Sequence, residues 1–96
     1  MASGVANVRT NFYNGSLIDP PTGWLFNKKS GLLILFEIYK KSLSNNLRVY
    51  THLFYANELS EPAQLKNSRI HSIECARETW DELVSGGWQI VTSKFH

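Results

Sequence analysis

Ninety-six residues make one domain, and a content of 43% hydrophobic and 12% aromatic residues supports a folded globule. A formal net charge of +2 argues against strong nonspecific nucleic-acid binding, and a single cysteine excludes an intrachain disulfide framework and fits a reducing compartment. The longest apolar run, Leu32 to Phe36, is too short to cross a bilayer, and no signal peptide opens the chain, so a cytoplasmic protein away from the membrane is expected.

Met1 to Thr22 is rich in breakers, among them Gly4, Asn14, Gly15 and Pro20-Pro21, and has no sustained period. Residues 1–22 therefore read as a flexible N-terminal arm. Phe12-Tyr13 and Leu17-Ile18 are its apolar pairs, suited to docking on the domain or to serving as a short motif for a partner.

Trp24 to Lys28 reads as a strand, Asn27 to Gly31 as a turn with Gly31 free to take positive φ, and Leu32 to Lys40 as a second strand. Alternation sets Leu32, Ile34, Phe36 and Ile38 on one face and Leu33, Leu35, Glu37 and Tyr39 on the other. The first set is wholly apolar and is the expected core face. After a polar loop, Lys41 to Asn46, a third strand runs from Leu47 to Ala56. Its Arg48, Tyr50, His52 and Phe54 share one side. Asn57 to Asn67 reads as a polar connection, and Ser68 to His71 as the approach to a helix, with Arg69-Ile70 adding a pairing residue or two.

Ser72 is a good N-cap, and Glu74 suits the positive end of the helix dipole. Ile73, Ala76, Trp80, Leu83 and Val84 recur at helical spacing, while Arg77, Glu78, Asp81 and Glu82 fill the solvated face. Gly86 is placed to end the helix in the left-handed conformation, and Gly87 to let the chain turn again. Trp88 to Val91 reads as a short strand, and Trp80 and Trp88 as anchors that clamp the helix to the sheet. The order is β-β-β-α-β. It predicts a single α+β domain over residues 23–92, with a three- to four-stranded antiparallel sheet, one amphipathic helix on one face and a short tail at 93–96.

Gly23-Trp24-Leu25 near the start, and Ala76, Trp80, Leu83, Gly87 and Trp88 near the end, resemble a small family of marine cyanobacterial proteins known as a domain of unknown function. The resemblance covers Gly23 to about Val91. It implies a cytoplasmic cyanobacterial setting and supplies no activity.

One helix covers one sheet face. The other face would carry Leu33, Leu35, Glu37 and Tyr39 beside Arg48, Tyr50, His52 and Phe54, more apolar and aromatic than a face meant only for water. The arm, a second copy of the chain or a protein partner would cover it. The expected function is thus a noncatalytic interaction or regulatory module, with Leu33, Leu35, Tyr39, Arg48, Tyr50, His52 and Phe54 as the partner-binding residues. The alternative is a weak single-strand nucleic-acid binder that stacks bases on Tyr39, Tyr50 and Phe54 and uses Lys40, Lys41 and Arg48 for phosphates.

Catalytic signatures are missing. There is no phosphate loop, because Gly86-Gly87 ends a helix instead of opening one. Cys75 lies in the first helical turn with His71 four residues earlier, so a Cys–His dyad is the one enzyme reading to carry forward. An inert cysteine is the blander reading and is preferred. His71 and Cys75 give two metal ligands where a structural zinc needs four. No cofactor, no metal and no enzymatic activity are expected.

Overall fold

The structure, a computed structural model, describes residues 12–13, 16–17, 19–39 and 47–92. Seven strands and one helix follow in order: β1 (Phe12–Tyr13), β2 (Ser16–Leu17), β3 (Gly23–Asn27), β4 (Leu32–Ile38), β5 (Arg48–Ala56), β6 (Pro62–Ser72), α1 (Ile73–Ser85) and β7 (Gln89–Val91). β3 to β7 make one antiparallel five-stranded sheet in the order β6-β5-β4-β3-β7. The α+β class is as expected, and the domain reads β-β-β-β-α-β. β1 and β2 pair with each other, inside the segment read as a flexible arm. The rest of that arm up to residue 18, the loop Lys41 to Asn46 and the tail 93–96 lie outside the described residues.

Turn chemistry sets the first hairpin. Asn27 turns its side-chain oxygen to the Ser30 amide (2.9 Å) and its carbonyl to the Gly31 amide (2.9 Å). Gly31 takes φ 70, a conformation that costs other residues dearly. The register then places Trp24 opposite Leu35 and Phe26 opposite Leu33.

β6 is the strand that the sequence reading took for a connection. Asn57 makes its turn: the side-chain oxygen accepts from the amides of Leu59 and Glu61 (2.9 Å each), and Ser60 takes φ 62. Pro62 is tolerated because it is the first residue of an edge strand. Between Leu53↔Asn67 and Phe54↔Leu65 the extra residue Lys66 bulges out, and a second irregularity follows before Ala56↔Pro62. The Lys66 bulge moves Leu65 onto the face of Phe54. These shifts, and the exposure of most of the strand, erase the alternation by which a strand is recognised in sequence.

The helix begins where expected: the Ser72 hydroxyl accepts from the Cys75 amide at 3.1 Å. Its end differs in detail. Gly86 has φ −85 and Gly87 has φ 105, so Gly87 is the residue that needs glycine. Trp88 donates its amide to Leu83 (3.0 Å) and Gly87 to Val84 (3.1 Å), the paired bonds of a Schellman stop. Ile73 and Ala76 are buried against Leu25, Ile34, Phe36 and Val49, with Trp80, Leu83 and Trp88 packed around them. Trp80 meets Phe36 edge-on at 5.0 Å, as an anchor should. Val84 is exposed, at the margin of the apolar stripe. No helix among the described residues is long and apolar enough to cross a membrane.

Candidate interaction face

With the helix side fixed by Leu25, Ile34, Phe36 and Val49, alternation puts Trp24, Phe26, Leu33, Leu35 and Glu37 on the opposite face, beside Arg48, Tyr50, His52 and Phe54. Backbone pairing continues one step past β4, where the Tyr39 amide donates to the Arg48 carbonyl at 2.9 Å. The residues expected on this face are therefore brought together, but they divide into two halves.

The first half is a packed layer. Trp24 of β3 and Phe54 of β5 approach to 5.6 Å across the intervening β4. Leu33 lies between Phe26 and Phe54 in the register and is 0% exposed, so it offers no surface to a partner. Leu35 is half-buried. Trp24, 8% exposed, was not among the residues expected on this face. The signal for its place on this face was the hairpin itself, which sets alternate residues of both strands on the same side.

The second half is a row of rings. Tyr39 and Tyr50 meet edge-on at 5.5 Å, and Tyr50 lies 4.2 Å from the His52 ring. His52 is held at both nitrogens: Nε2 is 2.8 Å from Glu37 and Nδ1 is 2.8 Å from the Ser68 hydroxyl. A carboxylate only accepts, so Nε2 carries the proton. Nδ1 of the neutral ring then accepts from Ser68. Tyr39, Tyr50 and His52 are half-buried, and Arg48 and Glu37 are exposed. Ser68 was missed because its strand was missed.

Glu37, His52 and Ser68 also have the residue types of a nucleophile relay. The cavity at the β3–β4 turn and the helix stop, lined by Asn27, Lys28, Lys29, Gly86, Gly87 and Gln89, includes none of them. On the helix side the sequence-level dyad is formed: Cys75 Sγ lies 3.7 Å from His71 Nδ1, and His71 Nε2 lies 3.0 Å from the hydroxyl of buried Thr51. Burial, and then the nearby Arg69 charge, hold His71 below its usual pKa of 6.5. A neutral imidazole lacks the positive charge that would stabilise a thiolate beside it. Among the described residues no three His, Cys, Asp or Glu side chains converge as a metal site would need.

The chain matches no curated protein and no solved structure. A family model described as "Protein of unknown function (DUF1651)" matches residues 22–95. That span holds every strand of the five-stranded sheet and the helix that covers it, and the chain belongs to the family DUF1651.

Proposed function

We propose that this protein is a noncatalytic interaction module that binds a protein partner, or a second copy of itself, through the Tyr39–Tyr50–His52 row and the neighbouring Arg48. The observation that carries the reading is the row itself. Three half-buried rings stand in a row on the sheet, Tyr50 touching both Tyr39 and His52, and the His52 ring is fixed by Glu37 and Ser68. Fixed aromatic rings rimmed by charge lose little side-chain entropy on binding, which suits an interface core. The cytoplasm is the setting proposed for it, on the single cysteine, and a cyanobacterial host on the resemblance in its Trp and Gly pattern.

The nucleic-acid alternative uses the same rings. Two features weigh against it: Glu37 sets a carboxylate in the row, and the rings pack on one another, which leaves fewer free faces for bases. Site-specific photo-crosslinking separates the readings. A cross-linker at Tyr39 should capture a protein, either foreign or a second copy, that one at Glu78 on the helix surface does not. Equal capture from both positions, or capture of RNA alone at Tyr39, would sink the proposal.

A further inference from the structure

β6 ends the sheet, and among the described residues no strand pairs with its outer side. Pro62 at its start and the Lys66 bulge blunt its first half against further pairing. The second half, Asn67 to Ser72, pairs with β5 without a register shift and so presents a regular edge. The Tyr39 amide bonds the Arg48 carbonyl. By alternation Arg48, Tyr50 and His52 turn their backbone groups toward β4, and Thr51 and Leu53 turn theirs toward β6. Ser68 and Ile70, opposite His52 and Tyr50, therefore turn their amides and carbonyls outward, in the plane where a further strand would pair.

The two sides of this edge differ in chemistry. On the ring side stand Leu65, opposite Phe54, and Ile70, opposite Tyr50, 50% and 48% exposed. On the helix side Arg69 lies opposite Thr51 and is exposed. Lys66, extruded by the bulge, lies over the Tyr55 ring at 5.9 Å, and Tyr55 alternates with Phe54 onto the helix side. Among the described residues neither cation has an acidic partner, and residues 62–72 contain no Asp or Glu. These charges decide the occupant. A second β6 laid antiparallel on the first would bring the Lys66 and Arg69 of both copies together with no carboxylate between them, and like charges across strands destabilise a pair. A strand that carries Asp or Glu gains where the second copy loses.

We propose that β6 accepts an extended segment of another protein as an added strand, one that alternates acidic residues, facing Arg69 and Lys66, with apolar residues, facing Ile70 and Leu65. The strand addition stands on the sheet edge alone and does not depend on what the ring row binds. It is tested with random short peptides displayed on phage and selected on the full chain. Peptides that alternate acidic and apolar residues should be enriched. A selected peptide, made synthetically and added at about ten times its Kd, should slow amide exchange at Ser68 and Ile70 about tenfold. Lys66→Glu with Arg69→Glu, both at exposed positions, should weaken its binding about tenfold while the exchange of the buried Val49 amide shows the fold intact. No enrichment, enrichment of basic or wholly apolar peptides, or a selected peptide that leaves Ser68 and Ile70 unprotected overturns the proposal. Protection of Ser68 and Ile70 that rises with the concentration of the chain itself, without peptide, would assign the edge to a second copy and likewise overturn it.

Discussion

Two residues show how burial decides what a side chain is for. Leu33 is enclosed on the face expected to be open, and Arg48 on the same face is exposed. Leu33→Ala should cost about 2–5 kcal/mol, as for other buried leucines, and Arg48→Ala less than about 0.5 kcal/mol. Urea unfolding of the two variants checks this, and similar midpoints would mean that the second face is not a packed layer. His71 makes a different point. Its folded pKa lies below 6.5 because of burial and then Arg69, so on acidification the unfolded chain takes up a proton before the folded one does. Its contribution is present above about pH 6.5 and is lost as pH falls toward the folded value. Wild-type stability should therefore drop as pH falls below about 6.5, and His71→Gln should remove part of that slope. An unchanged slope would mean that His71 does not feel its burial. At this scale the sequence placed the ring row correctly, since alternation is enough for that. It could not show that Leu33 is covered, because cover comes from elements remote in the chain.

Among the elements, those with local chemical signatures were legible and the one without them was not. Asn27 and Gly31 announce the first hairpin, and Ser72 the helix start. β6 carries neither alternation nor a β-branched run, since Lys66 bulges and most of its side chains face water, so its polar sequence reads as a loop. Its turn signal lies in Asn57, whose side chain organises Leu59 and Glu61. The helix stop was recognised with its two glycines exchanged in role. Gly87→Ala should cost about 1–2 kcal/mol for the positive φ it would force on alanine. A thermal or urea midpoint equal to wild type would show that the stop relaxes at no cost.

The whole domain is a meander closed by a single crossing. β3, β4 and β5 each pair with the next strand in sequence, so those neighbours are close along the chain. β6 and β7 run parallel at opposite edges, with α1 carrying the chain across the helix-side face between them. β7 thus has no local strand to pair with. Its Ile90 and Val91 meet Leu25 and Trp24, residues from the far end of the domain. In kinetic terms the meander and the last strand belong to different steps. The hairpins can form one after another from short loops, but β7 must wait for β3 to be in place and for α1 to seat, and it closes the longest loop for only three backbone pairs. The strand that completes the sheet is for this reason the last to gain from folding and the first to be released when the domain loosens.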